Sequence, residues 1–394
     1  MEVSAPPESQ LAQLAGMTTL SIDTGDLDIL EAFSKTGLIT DATTNPLFVS
    51  QAGLSGDARY VAFVDAAIAY AKANAGTADE VLELAMDRLA VELGLEIVKL
   101  VPGYVSTEVD IRASFDTEES IRRARRIIDM YEAAGVDRSR VLVKLAGTWE
   151  GIQAAKVLEK EGITCNITLI FGARHACCAP APSLLRRART AKPAPVRAPL
   201  SQAHPRFVRA SHVACAGFIQ AVAAAQAGAR LISPFPGRIK DWRAANGGTP
   251  AYEPAADPGV VEVGRMYAYY KKYGHEKTIC MPASWRPSRS TPGDKVAEHA
   301  VDEIIALAGV DRMTIPPPLL TQLAETLAPL PRLLEPSAAS AACADALVGG
   351  GDVSESDFRF LFNADQCATT KMAEGINAFV AETLKLEAAI KSKL

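Results

Sequence analysis

The chain has 394 residues, of which 48% are hydrophobic and 22% charged, and its formal net charge is −5. No apolar run approaches the roughly 20 residues of a membrane span, and the acidic balance argues against a nucleic-acid footprint, so we expect a globular protein without a membrane or nucleic-acid partner. Seven scattered cysteines without a C-x-x-C pair predict neither a disulfide framework nor a zinc knuckle.

Short apolar strands alternate with amphipathic helices along the chain. Eight strands are predicted, at 18–23, 38–42, 105–109, 141–146, 166–171, 230–235, 278–283 and 312–315. Helices are predicted between them, at 60–73, 118–134, 149–160, 218–227, 259–273 and 296–307. Glycines at 135, 162, 228 and 309 follow several of these, where a helix C-cap is expected. Without a G-x-G-x-x-G turn, eight such units predict a parallel eight-stranded (β/α)8 TIM barrel, as a single domain over residues 1–394.

Residues 173–217, after the fifth strand, differ from the rest of the chain. They contain eight Lys or Arg, six prolines and no acidic residue, and removing them leaves 33 basic against 46 acidic residues. This composition predicts an irregular or disordered basic insertion, either a tolerated one or intronic sequence retained in a gene model. Two alternatives are a metal site formed by its histidines and cysteines, whose spacing matches no recognised ligand pattern, and an RNA-binding basic arm.

The string VLVKLAGTWEG places one lysine in an otherwise apolar strand. Side chains alternate along a strand, so Leu142, Lys144 and Ala146 share one face, which carries a single buried amine. An amine buried without a fixed counter-charge has a lowered pKa and becomes a nucleophile toward carbonyls. The alternative is a structural lysine whose stem is packed and whose amine reaches water or a carboxylate.

Polar residues also end the first three strands, where the active site of a barrel lies. Asp23 ends the first strand, Asn45 follows the second, and Glu108 ends the third. Each has a structural alternative: Asp23 as a turn or cap residue, Asn45 as a turn former, and Glu108 as the partner of Arg112 or Lys144 in an ion pair.

The remaining candidates come from strands five to seven. Asn166 and Thr168 share one face of the fifth strand, which predicts that they point into the barrel mouth beside the lysine. Ser233 and Arg238 follow the sixth strand, and Arg286 follows the seventh. Two arginines at one mouth predict an anion site, because a planar guanidinium suits phosphate. The alternatives are satisfied interior polar groups and surface arginines.

These residues lie in strings that resemble the transaldolases. The strings occur in the family's order: DTGD, TDATTNP, VSTEVD, VKLAGTWEGIQAAKVLE, CNITLIF, LISPFPGRIKDW, YEPAADPGV and LAGVDRMTI. The resemblance implies a cytoplasmic enzyme of the pentose phosphate pathway that acts on sugar phosphates and needs no cofactor or metal. It would transfer a dihydroxyacetone unit from sedoheptulose 7-phosphate or fructose 6-phosphate to glyceraldehyde 3-phosphate or erythrose 4-phosphate. The first 17 residues contain no evident targeting signal, and a weak plastid signal stays open as an alternative.

The resemblance also implies roles for the candidate residues. Lys144 resembles the Schiff-base lysine, Asp23 the acid/base residue, and Glu108, with Thr168 and a bound water, the proton relay. The substrate-binding positions are Asn45 and Asn166 for hydroxyls and Ser233, Arg238 and Arg286 for phosphate.

Two departures from the family pattern leave alternatives open. Residues 173–217 interrupt a run that is continuous in the family and would lie on the active-site face. A second extra stretch covers about 287–300, and Pro282 and Trp285 stand where the family tends to have Gly and Phe, which weakens the assignment of Arg286. A catalytically impaired phosphosugar-binding barrel blocked by the insertion is one alternative, and a fructose-6-phosphate aldolase is another. The sequence does not fix the oligomeric state, and a homodimer is one option.

Overall fold

Eight parallel strands form one sheet in the computed structural model, which describes residues 3–172, 218–290, 299–345, 347 and 352–394. The strands are β1 Thr19–Asp23, β2 Ile39–Thr43, β3 Val105–Glu108, β4 Val141–Ala146, β5 Cys165–Ile170, β6 Leu231–Pro234, β7 Ile279–Cys280 and β8 Arg312–Ile315. Their order is β7-β6-β5-β4-β3-β2-β1-β8, and Thr314 N donates to Pro282 O (3.2 Å) across the remaining gap. The predicted (β/α)8 barrel is confirmed, while the predicted insertion at 173–217 lies outside the described residues.

Helices surround the sheet, because each apolar strand face needs a covering layer. They are α1 Gln10–Ala15, α2 Leu27–Ser34, α3 Pro46–Leu54, α4 Ala58–Asn74, α5 Ala78–Leu100, α6 Thr117–Ala133, α7 Trp149–Leu158, α8 Ile219–Gln226, α9 Pro236–Ala245, α10 Pro258–Tyr273, α11 Asp302–Ala306, α12 Pro317–Glu325, α13 Pro336–Ala342, α14 Glu355–Ala364 and α15 Gln366–Lys391. Five of the six predicted helices are confirmed within a few residues. None of the described helices is both long and apolar enough to cross a membrane.

The sixth predicted helix, at 296–307, is wrong over 300–301, which form turns, while 296–298 lie outside the described residues. Helix α11 begins only at Asp302, whose carboxylate binds the backbone and guanidinium of Arg289 at 2.8 to 3.2 Å. The seventh strand is also shorter than predicted, because Pro282 has no N–H for a ladder. Only isolated bonds continue it, from Met281 N to Ile232 O and from Ala283 N to Pro234 O, both 2.9 Å.

Local sequence fixes the end of the strand that carries the lysine. Thr148 follows β4 and caps α7 by accepting a hydrogen bond from Gly151 N at 2.9 Å. Inside the barrel, Leu142, Leu231 and Met281 form a fully apolar layer. Lys144 lies two residues after Leu142, so its side chain enters the barrel one layer closer to the carboxyl ends of the strands.

The C-terminal helix α15 covers the carboxyl end of the barrel. It packs against α3, α9 and the end of β5. Gly375 allows this approach, because a Cβ there would lie 2.7 Å from Leu169 Cδ2 and 3.4 Å from Arg238 Nη1. The residues after the eighth strand therefore close the mouth of the barrel.

Candidate active site

Three predicted residues form one row across neighbouring strands. Parallel register pairs Glu108 of β3 with Lys144 of β4, and Lys144 with Asn166 of β5. The side chains of Glu108 and Lys144 are 3% and 4% exposed, and Asn166 is fully buried. Alternation along strands that share a register puts all three on the interior face. The predicted convergence inside the barrel mouth is therefore present in the structure.

Lys144 has a fixed counter-charge, so the expectation of an isolated amine is wrong. Its Nζ lies 3.0 Å from Glu108 Oε2 and donates to the main-chain oxygen of Thr44 at 3.3 Å. The sequence could not decide between two partners for Glu108, because Arg112 is only four residues away. Arg112 instead pairs with Asp110 and Glu387, each at 2.6 Å. The carboxylate beside the lysine thus comes from the neighbouring strand.

A second carboxyl group faces the same amine from β1. Burial raises the pKa of Asp23 from 3.8 to about 6, Glu108 adds to the rise, and the Lys144 ammonium opposes it. Burial also raises the pKa of Glu108 against the pull of Lys144. Two carboxyls of increased basicity around one amine can accept protons from it and return them.

Asn166 is held in place by hydroxyl groups from both sides. Ser233 Oγ donates to Asn166 Oδ1 at 2.9 Å, and Asn166 Nδ2 donates to Ser106 Oγ at 3.3 Å. Thr168, also fully buried, lies two residues further along β5. Its Oγ1 and Glu108 Oε1 have no hydrogen-bond partner among the described residues, so both remain free to bind a small polar molecule.

Asn45 lies at the site but also has a structural task. Its Oδ1 accepts from Leu47 N at 2.9 Å and Phe48 N at 3.2 Å, which makes it the N-cap of α3. Asn45 therefore has a structural role, as the N-cap of a helix rather than as the turn former weighed from the sequence. Because Oδ1 already accepts two hydrogen bonds from the helix, the amide NH2 is the group of Asn45 that is left to bind a ligand, as a donor.

The two arginines come from adjacent segments, α9 and the loop after β7. Burial lowers the pKa of Arg238, and the nearby Arg286 lowers it further. Gly237 allows the approach, since a Cβ there would lie 2.4 Å from Ser284 O and 2.6 Å from Arg286 Cγ. Arg286 Nε donates to Asp241 Oδ2 at 3.0 Å, so one edge of its guanidinium is already paired.

A cavity of about 180 Å³ joins most of these groups. It is lined by Asp23, Asn45, Lys144, Ser233 and Arg238 together with residues that the sequence did not indicate, namely Thr43, Leu47, Phe48, Phe235, Ala283, Ser284, Thr314 and Phe379. Arg286 is not among the lining residues. A smaller cavity of about 50 Å³ touches Glu108 and Asn45 from the side of α5. No local signal marks Phe379, because it reaches the cavity only through the packing of α15.

No cluster of three metal-ligating side chains occurs in the ranges that the structure describes. The histidines and cysteines weighed as a metal site at 175–215 lie outside those ranges. The described cysteines, Cys165, Cys280, Cys343 and Cys367, are buried free thiols.

Comparisons with known proteins agree with this geometry. A family model described as Transaldolase/Fructose-6-phosphate aldolase matches residues 20–188 and 214–390, and its gap lies inside 173–217. A protein named transaldolase from Actinobacillus succinogenes is 42% identical over 386 residues, covering 98% of this chain and 99% of that protein. Transaldolases from Alteromonas mediterranea (41%) and Cellvibrio japonicus (42%) match over the same shares of both chains. The chain belongs to the transaldolase/fructose-6-phosphate aldolase family.

Proposed function

We propose that this chain is a transaldolase, which moves a dihydroxyacetone unit from fructose 6-phosphate or sedoheptulose 7-phosphate to erythrose 4-phosphate or glyceraldehyde 3-phosphate through a Schiff base on Lys144. The observation that carries the proposal is the buried row of Glu108, Lys144 and Asn166 with Asp23 facing it. Family membership and the named relatives support the same reaction.

Schiff-base formation needs a neutral amine and a group that removes water. Glu108 Oε2, 3.0 Å from Nζ, can take the ammonium proton, after which the nitrogen attacks the C2 carbonyl of the ketose. The carbinolamine then loses its hydroxyl as water when a proton is returned. Glu108 Oε1 and Thr168 Oγ1, neither of which has a hydrogen-bond partner among the described residues, can hold the relaying water.

Carbon–carbon cleavage needs a base for the C4 hydroxyl. The Asp23 carboxylate is suited to this step, because its pKa of about 6 makes it more basic than an exposed aspartate and still ionised at pH 7. As the C4 hydroxyl loses its proton, the C3–C4 bond breaks and its electron pair passes into the iminium. An aldose phosphate leaves and a three-carbon enamine stays on Lys144.

The polar groups around Lys144 explain how that intermediate is kept. Asn166, fixed by Ser233, and the amide NH2 of Asn45 can bind its hydroxyls. Phe379 of α15 covers the cavity and limits solvent access. Arg238, with Arg286 beside it, can bind the phosphate, which places the sugar chain across the cavity.

A coupled assay tests the transfer. Fructose 6-phosphate and erythrose 4-phosphate should together give sedoheptulose 7-phosphate and glyceraldehyde 3-phosphate, and fructose 6-phosphate alone should release little dihydroxyacetone. Rapid release of dihydroxyacetone without an acceptor would favour the fructose-6-phosphate aldolase alternative. A transcript read across codons 172–218 decides whether residues 173–217 are translated. Activity gained only by joining Gly172 to Phe218 would favour the blocked barrel, an alternative that no comparison supports.

The remaining expectations complete the proposal. We infer one barrel domain over residues 1–394, a cytoplasmic location and sugar phosphates as the ligands, with no nucleic-acid partner. The bacterial relatives and the buried free thiols support a reducing compartment. A homodimer is the assembly that we propose, and light scattering on the purified chain tests it.

A further inference from the structure

The phosphate end of the site depends on two arginines that repel each other. Arg238 lies in the first turn of α9, whereas Arg286 lies at the start of the 286–290 loop that follows β7. Neither the sheet nor helix α9 by itself fixes the distance between the two guanidinium groups. Contacts between α9 and the 286–290 loop must therefore set it.

Lys240 makes the central contact. It lies two residues after Arg238 in α9, and it is only 2% exposed. Its Nζ donates to the main-chain oxygens of Pro287 at 2.6 Å and Ser290 at 2.8 Å. One buried ammonium thus binds the carbonyls of the first and the fourth residue after Arg286.

Other contacts fix Arg286 itself, and one of them, from Asp241, also comes from α9. Glu303 Oε2 accepts from Arg286 N at 2.7 Å, and Asp241 Oδ2 accepts from Arg286 Nε at 3.0 Å. Tyr252 N donates to Ser288 O at 2.8 Å. Among the described residues, the hydrogen bonds to the carbonyls of Pro287 and Ser290 come from Lys240. A desolvated carbonyl that loses its donor makes the loop move toward water or another donor.

We propose that Lys240 is a positioning residue for phosphate binding, which ties the 286–290 loop to helix α9 and holds Arg238 and Arg286 on one anion. The inference rests on the proposed function, because it takes the two arginines as the phosphate site. Lys240 does not line the cavity and does not touch the reacting atoms. Its loss should therefore affect the binding of phosphorylated substrates and leave the chemistry at Lys144 intact.

Steady-state kinetics of Lys240→Met test this. The KM for fructose 6-phosphate should rise about tenfold, while kcat changes by less than about twofold. Borohydride trapping of dihydroxyacetone, which carries no phosphate, should proceed at the wild-type rate. Lys240→Arg keeps a charged donor and should recover most of the affinity. Lys272→Met is the matched control, since Lys272 donates to Cys343 O at 2.7 Å and does not contact the loop.

An unchanged KM in Lys240→Met would overturn the proposal, as would a loss of kcat and of dihydroxyacetone trapping as large as the change in KM. Lys240→Gln, which can still donate to one carbonyl, supplies the same comparison if the methionine variant does not fold. Wild-type protein that traps no dihydroxyacetone would instead refute the Schiff-base function. The two failures are therefore distinct.

Discussion

Ionised Asp23 is expected to destabilise the folded protein, so replacing it should increase the free energy of unfolding while activity is lost. Burial raises its pKa from 3.8 to about 6, so the folded protein binds this proton more tightly than the unfolded chain. The resulting stabilisation is fully present below about pH 4 and is lost as the pH rises through 6. A rise of about two pKa units corresponds to about 3 kcal/mol. Asp23 keeps some solvent contact at the cavity, so we expect about 1 to 2 kcal/mol.

Asp23→Asn removes the buried charge and keeps the shape of the side chain. We therefore expect the free energy of unfolding to increase by about 1 to 2 kcal/mol at pH 7.5, and the gain to disappear near pH 4. Turnover should fall by about 10²-fold or more, because the base for the C4 hydroxyl is lost. Urea unfolding of both proteins from pH 4 to 8 gives the stability, and the coupled assay gives turnover.

Asp137→Asn is the matched control with the opposite sign. Hydrogen bonds from Ser139 lower the pKa of the exposed Asp137, so its carboxylate stabilises the fold above pH 4 and the amide should not add stability there. If Asp23→Asn is no more stable than wild type at pH 7.5, or if its gain in stability is the same at pH 4, then ionised Asp23 does not destabilise the fold.

Other changes give equally specific outcomes. Lys144→Met leaves the Glu108 carboxylate buried without its partner, so the free energy of unfolding in urea at pH 7.5 should fall by about 3 to 5 kcal/mol. Adding Glu108→Gln should largely restore this stability, and no restoration would contradict the ion pair. Arg238→Gln should raise the KM for fructose 6-phosphate by about 10-fold or more with little change in kcat, and an unaltered KM would remove it from the phosphate site. Gly375→Ala should lower the melting temperature and raise KM, because its Cβ would meet buried Leu169. Gly264→Ala, whose Cβ would meet nothing within 4 Å, should instead stabilise its helix. Equal effects of the two substitutions would argue against close packing of α15.

Strand periodicity made most of the buried row of Glu108, Lys144 and Asn166 predictable. A lysine, an asparagine and a glutamate on the inner faces of adjacent parallel strands meet when the register pairs them, as it does across β3, β4 and β5. Periodicity does not give ionisation partners, so the ion pair between Lys144 and Glu108 stayed one of two alternatives. The pattern also could not show that Asn45 has two roles. A residue that follows a strand can both cap the next helix and line a cavity, and Asn45 does both.

Residues brought in by distant packing were not predictable from local pattern. Phe379 lies on α15, more than 200 residues after Lys144, and only the closure of the barrel mouth places it at the cavity. The sequence pattern shows Lys240 only as a polar residue in a short helix. Its two acceptors lie in a loop without regular structure, so the contact was not predictable. The helix predicted at 296–307 is interrupted at 300–301, because apolar spacing cannot show that Asp302 binds Arg289 of that loop.

We propose that Lys144 forms a Schiff base with a ketose phosphate. Incubating the protein with fructose 6-phosphate and borohydride, followed by peptide mapping, tests it directly. We expect one reduced three-carbon adduct, located on the peptide that contains Lys144 and absent from Lys144→Met. An adduct on another lysine, or none on the active wild-type protein, would contradict it.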